Sequence, residues 1–279
     1  MPRNNVEKLS VKKEKEQPQN LTNLQSVLGF VSPTEHVDLP SKGKFYSKDH
    51  PLCGVDTLEI KYLSAKELDI LSSKSLLNKG VAVDRMLQSI IVDTSVKVED
   101  LVVGDKNAVI IAARIGTFGE DYKVNLTCGT CESNFEHTFN LSHLEDLTPP
   151  VSDDVEFSEN GTFFITLPKT KVRVECRLLT AKDEKWLEET AKKKHKMNLP
   201  ESSLTDQYKS FIVSLNGVAE RGLVDEFVDV MPAGDMHYLS KKYAEAKPDI
   251  NMSQDCECTS CGAINVLDIP FTANFFWPE

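Results

Sequence analysis

Cys128 and Cys131 in VNLTCGTCESN and Cys258 and Cys261 in DCECTSCGAIN form two Cys-x-x-Cys pairs. The short turn inside such a pair aims two thiolates at one point, which is half of the tetrahedral shell of a zinc ion at bond lengths of about 2.3 Å. Four thiolates would close that shell. With no open coordination position the zinc would be structural, a stabiliser of the fold and not a catalyst. Gly129 and Gly262, in or just after the turns, give the backbone the freedom to point amides at sulfur. Two other readings stay open: a metal-free pair of hairpins and a redox dithiol. The second sits poorly with the context, because a thioredoxin-like pair opens a helix, whereas both pairs here stand between alternating, strand-like segments. Cys256 falls opposite Leu126 when the two regions are aligned and reads as a strand residue, with a substitute ligand as the alternative. Cys53 and Cys176 read as small buried hydrophobes.

Between Cys131 and Cys258 lie 126 residues, so the chain must fold back on itself to bring the pairs together. The flanking elements suggest how. DTLEIKYL alternates as a strand and SAKELDILSSKSLL follows as a helix, with Ser64 as N-cap and Glu67 three residues on, a capping box. Helical AVDRMLQSIIVDT and DKNAVIIAARI lead to strand EDYKVNLT, the first cysteine pair and strand NFEHTFNL. The order then recurs: strand KVRVECRLL, helix TAKDEKWLEETAKK with Thr180 and Asp183 in the capping-box places, helical LTDQYKSFIVSLNG and GDMHYLSKKYAEA, the second pair, and strand AINVLDIPF. Gly104-Asp105 and Gly234-Asp235 precede the two pairs at an offset of 130, while LSAK at Leu63 and LTAK at Leu179 match at 116. The 14 extra residues of the second unit fit around KKKHKMNLPESS. The expected fold is therefore α+β and internally duplicated, each unit running strand, three helices, strand, Cys-x-x-Cys, strand, with the units meeting at a shared zinc-ribbon-like site. The expected domains are a polar tail over 1–35, a first unit over 36–150 and a second over 151–279.

The chain has 279 residues, seven cysteines and a net charge of −11. An odd cysteine count without a secretory h-region argues for a reducing compartment, with the cysteines ligating or buried. No apolar run is long enough to span a membrane, and the acidic balance opposes binding to a phosphate backbone. H-E-x-x-H, G-x-S-x-G and the phosphate-binding G-x-x-x-x-G-K-[ST] are absent, so no catalytic residues and no small-molecule substrate are expected. GTFGEDY resembles a phosphate loop but follows a helix and precedes a strand, so a helix C-cap at Gly116 is the better reading. The basic run at Lys192, Lys193, Lys194 and Lys196 reads as the solvated, dipole-compensating end of a helix, with a nucleic-acid patch as the alternative. Trp186 and Phe211 read as core. Phe275, Phe276 and Trp277 are contiguous and cannot all face one way, which suits an anchor in a partner's groove or docking on the chain's own domain.

LPSKGKFY at 39–46, the SAKE helix start, ARIGTFGEDYKVNLTCGTC with Arg114, Gly119 and Tyr122, and the closing FFWPE together resemble the baseplate hub proteins of T-even-type contractile-tailed bacteriophages. The resemblance covers residues 36–279. It implies a structural or assembly role in the tail baseplate of a virion, made in the host cytoplasm, with other baseplate or hub proteins as partners and no chemistry. On that reading Leu39, Pro40, Phe45 and Tyr46 in the segment 36–52, with Phe275, Phe276 and Trp277, are the expected partner-binding residues, and the tail orders upon assembly. The competing class is a zinc-ribbon nucleic-acid-binding accessory factor that uses the lysine run.

Overall fold

A computed structural model of the chain describes residues 32–147, 155–198, 203–271 and 273–276. Most of the expected tail and Trp277 lie outside the described residues. The elements below all belong to one unit, Thr34 to Glu279.

The first half opens with the antiparallel pair β1 (Thr34–Asp38) and β2 (Thr57–Lys61), joined by a long loop over 39–56. Helix α1 (Ala65–Ser72) carries the expected capping box: Ser64 N–H donates to Glu67 Oε2 at 3.0 Å, and the Ser64 side chain returns the bond to the helix amides. Ser73 is extended and breaks the expected first helix, so α2 (Lys74–Asn78) is separate. Helix α3 (Ala82–Ile90) buries Met86, Leu87 and Ile90, residues spaced to form one face. Helix α4 (Val103–Phe118) is the central one, with Val109 and Ala113 inside. It runs through Gly116, which is therefore not its cap. The helix ends at Gly119, whose φ of +82° is the left-handed region that an L side chain resists, and whose N–H closes on Ile115 O at 2.9 Å. Hairpin β3 (Asp121–Thr127) and β4 (Asn134–Asn140) follows, then the short β5 (Asp146–Leu147).

The second half holds a four-stranded antiparallel sheet in the order β6 (Val155–Phe157), β7 (Thr162–Thr166), β8 (Arg173–Arg177), β9 (Ile212–Leu215). Sequence reasoning found only β8. IVSL, expected as helix, is strand β9, because its β-branched residues complete the sheet beside Val174 and Cys176, and the helix α6 (Ser203–Phe211) stops just before it. Helix α5 (Ala181–Lys196) has its expected capping box, with Thr180 N–H and hydroxyl both donating to Asp183 Oδ2 at 2.9 Å. Helix α7 (Arg221–Val230) was not expected; α8 (Ala233–Ala246), β10 (Asp249–Ile250), β11 (Ser253–Glu257) and β12 (Ile264–Asp268) were, apart from the short β10.

Two corrections concern single residues. Trp186 is half exposed, because α5 is mostly charged and buries only Ala181. Cys53 is exposed in the turn-rich loop before β2, while Cys176 is buried as expected. Phe211 is core.

The halves interlock. β5 pairs antiparallel with β10, placing Leu147 opposite Asp249. Val103 N–H donates to Leu179 O and Ala181 N–H to Leu101 O, so the starts of α4 and α5 are pinned together. One contiguous core includes Ile60, Leu87 and Val109 from the first half and Phe163, Val174 and Leu239 from the second, all at 0 % exposure. Each such side chain contributes roughly 1.5–3 kcal/mol by leaving water.

A pair of buried carboxylates recurs at matching places. Asp105, in the first turn of α4, accepts from Ser41 N–H (3.0 Å), Ser41 hydroxyl (2.6 Å) and Tyr46 hydroxyl (2.7 Å). Asp235, in the first turn of α8, accepts from the amides of Lys169 and Thr170 and from the Thr170 hydroxyl, all at 2.8 Å. Each carboxylate ties its helix to the loop that follows a Leu-Pro dipeptide, Leu39-Pro40 or Leu167-Pro168.

Candidate metal centre

The sequence builds the two hairpin tips alike. After β3, Cys128 N–H donates to Ser133 O at 2.9 Å and Glu132 N–H to Cys128 O at 3.0 Å; after β11, Cys258 N–H donates to Ala263 O at 2.9 Å and Gly262 N–H to Cys258 O at 2.8 Å. The fifth residue of each turn is left-handed, Glu132 at φ +58° and Gly262 at +69°. A tight turn of this shape leaves both cysteines of a tip on its inner side.

The four sulfurs of Cys128, Cys131, Cys258 and Cys261 lie within 4.8 Å of one another. Two of the four pairs that cross between hairpins, Cys128 to Cys261 and Cys131 to Cys258, are 3.8 Å apart. Ligands at about 2.3 Å from the centre of a tetrahedron stand about 3.8 Å from each other. Sulfurs drawn together as disulfides would stand at about 2.05 Å, and all four cysteines are free. Cys128 and Cys258 are buried, while Cys131 and Cys261 are exposed to solvent. The donor set and its spacing could hold a tetrahedral metal that prefers thiolates.

Neighbouring groups support the thiolate state unequally. Amides of Cys131 and Thr130 pull the Cys128 thiol down to about 6, with the Thr130 amide 3.4 Å from the sulfur. Cys258 is lowered first by the Ser133 hydroxyl. At Cys261 the Ala263 amide draws the thiol down, but the adjacent thiols of Cys131, Cys258 and Cys128 outweigh it and push it up to about 12. Such crowding of like charges is what a divalent cation would relieve. Two residues that sequence reasoning missed brace the cluster. Asn265 spans the hairpins, its side chain accepting from Gly129 N–H at 3.2 Å and lying 3.7 Å from Cys128 Sγ. Ser133 Oγ sits 2.9 Å from Cys131 Sγ and 3.6 Å from Cys258 Sγ. Neither stands in a recognisable spacing, so only the fold reveals them. Cys256 lies in β11, opposite Asn265 in register, with its thiol toward Gln254 O and outside the cluster.

The expected partner-binding residues fall as follows. Leu39, Pro40 and Tyr46 are buried in the chain's own unit, where the Tyr46 hydroxyl also accepts from Val102 N–H. Phe45 is half-buried and edge-on to Phe157 and Phe163. Phe275 and Phe276 are buried, Phe275 meeting Tyr122 with ring centroids 5.0 Å apart. Trp277 lies outside the described residues. Of the lysine run, which ends α5, Lys192 pairs with Glu188 and Lys194 with Asp206.

Fold and site together define an α+β protein in which two distant hairpins converge on a four-thiol cluster able to hold a metal. A family model described as T4 bacteriophage base plate protein matches residues 33–277, nearly the whole of the described unit. The chain belongs to that family, and so is a component of phage baseplates, located in the virion tail and in contact with other baseplate proteins. No curated protein and no solved structure matches it. Among the described residues no helix is long and apolar enough to cross a membrane.

Proposed function

We propose that this baseplate protein is a non-catalytic structural or assembly component of the hub region, stapled by one zinc ion shared between two duplicated α+β units. The observation that carries the zinc is the pair of 3.8 Å sulfur separations across hairpins far apart in sequence. Cys128, Cys131, Cys258 and Cys261 are its ligands, and zinc supplies structural cross-linking alone, since four thiolates fill its shell. The duplication is supported by the matching capping boxes, the matching turns of the two tips and the matching carboxylate braces at Asp105 and Asp235. On this reading the units extend over 36–150 and 151–279 and share a core.

Partner contacts are assigned to the 36–52 segment and to the chain's ends. Leu39, Pro40 and Tyr46 give that segment its shape from within, and the exposed Lys42, Lys44 and Lys48 with the open edge of Phe45 face neighbouring subunits. At the C-terminus Phe275 and Phe276 pack on the chain's own unit, and Trp277, outside the described residues, is assigned to the partner. Metal analysis of the purified chain and of baseplates, joined with electron microscopy of baseplates carrying a labelled chain, tests the reading. One zinc per chain and label at the hub are expected. Label confined to the baseplate periphery would remove the hub assignment, and a metal-free chain of unchanged stability would remove the zinc.

A further inference from the structure

The two cysteine hairpins match residue for residue at an offset of 130, yet their outer faces differ. On β12 the side chains of Ile264 and Val266 are 71 % and 69 % exposed. Their counterparts on β4 are Asn134 and Glu136, also exposed. The same hairpin geometry therefore stands with polar residues at these places, and the apolar pair on β12 does nothing for the hairpin itself.

The backbone beside that pair is open. β11 and β12 form a sheet of two strands, and among the described residues nothing pairs with the outer edge of β12. Cys258 with Ala263 and Met252 with Ile269 make ladder bonds at the two ends. The alternation of an antiparallel ladder then turns the N–H and C=O groups of Ile264, Val266 and Asp268 outward, away from β11. An open apolar edge without an interior charge is a template for another strand. The charge around it selects which. Glu257 lies opposite Ile264, Asp255 opposite Val266, and Asp268 ends the strand, so the face is apolar with an acidic border. A second copy would bring the same acidic border and another net charge of −11, which disfavours self-pairing.

We propose that the outer edge of β12, with Ile264 and Val266, takes an extended segment of a neighbouring baseplate protein that alternates apolar with lysine or arginine side chains. The inference rests on the chain's place in the baseplate, and adds a docking site that neither terminus supplies. It is tested with the full-length chain, its Val266→Lys variant and, as control, Glu136→Lys at the matching place on β4. Each is added to extracts of cells infected by phage lacking this chain, and its incorporation into sedimenting baseplates is measured with its metal content and melting temperature. Lysine at 266 should leave fold and metal unchanged, as Glu136 shows a charge is tolerated there, but lower incorporation about tenfold or more, while Glu136→Lys enters normally. Hydrogen exchange of peptides covering 262–269 should slow about tenfold or more on incorporation of the wild-type chain. Normal incorporation of Val266→Lys, equal loss in both variants, or unprotected amides in the particle would overturn the proposal. So would a dimer of the isolated chain that Val266→Lys dissolves, which would assign the edge to a second copy. Failure of the wild-type chain to enter any baseplate is a separate result, and it removes the baseplate-partner reading together with this one.

Discussion

Cys258→Ser is the sharpest perturbation of the proposed zinc staple. Cys131 and Cys258 stand 127 positions apart, so a metal joining their hairpins closes a loop of that size in the unfolded chain. In the chain-entropy treatment of a cross-link, a loop of this length constrains the unfolded state by about 5 kcal/mol. A metal delivers that much only when its free concentration exceeds Kd several thousandfold, a condition met by a four-thiolate zinc at trace metal levels. For chains somewhat shorter than this one, each kcal/mol moves Tm by about 2–4 °C, so the loss should be about 10–20 °C. Serine keeps the size of the side chain and loses the thiolate. The assay is thermal and urea unfolding with and without a chelator, alongside metal stoichiometry. Wild type with chelator should resemble Cys258→Ser without it. Two cysteines outside the cluster separate metal loss from thiol loss: Cys53→Ser is exposed and should change nothing, while Cys256→Ser, buried in β11, should lose about 1 kcal/mol and keep its zinc. A variant at 258 that retains one zinc and melts like wild type, or a wild-type chain carrying two zinc ions, would refute the shared cage.

The matched carboxylates should answer pH in opposite senses. Burial raises Asp235, but the Thr170 and Lys169 amides, the Thr170 hydroxyl and the Lys169 charge bring it below the ordinary carboxylate value. Its stabilising effect is full above the unfolded value of about 3.9 and is lost as pH falls through the depressed folded value. At Asp105 burial wins over the Ser41 and Tyr46 bonds, helped by the nearby Asp249 charge, and the carboxyl is raised. Its contribution is therefore full below about 3.9 and lost as pH rises through the raised value. Urea unfolding at neutral pH should show Asp235→Asn more harmful than Asp105→Asn, because fixed amides face both Asp235 oxygens whereas the hydroxyls at Asp105 can turn; the reverse order contradicts this. Gly161→Ala should cost more than Gly119→Ala: both have positive φ, worth of order 1–3 kcal/mol, but only at Gly161 would a Cβ meet backbone, 2.6 Å from the Phe45 carbonyl carbon. Equal losses would remove the steric argument. Trp186→Ala should move stability by less than about 0.5 kcal/mol, and a core-sized loss would return Trp186 to the interior.

What the sequence displayed, it displayed through local chemistry. Ser64 with Glu67 and Thr180 with Asp183 mark helix starts because a capping box is complete within four residues. The cysteine pairs are equally local, and the constant offset of 130 carries the inference that they meet. The errors arise where distant partners decide. IVSL is strand because β8 lies ready to pair with it, and nothing within the four letters states that. The Asp105 brace joins residues 64 positions apart through single oxygens, which leave no period. Other features were readable. Asn160-Gly161 between VEFSE and TFFIT is a hairpin signal that marks β6 and β7, and Leu223, Val224, Phe227 and Val228 have the spacing of the α7 face, with Val224 and Val228 buried.

A shared cage also accounts for where the halves agree and where they part. A two-stranded hairpin is marginal by itself, and each tip offers two ligands of four, so on the zinc proposal neither hairpin is secure until both close on the ion. That requirement fixes the four cysteines and the turns that aim them, and those are the parts that coincide between hairpins. It does not fix the residues one step out. Ser133 braces Cys131 and Cys258 from a place that Ala263 fills in the other half, and Asn265 bridges to Gly129 from the place of Phe135. The outer faces are freer still, which is why Glu136 can stand where Val266 does. The metal would thus hold two hairpins in one geometry while leaving the residues of each outer face free to differ.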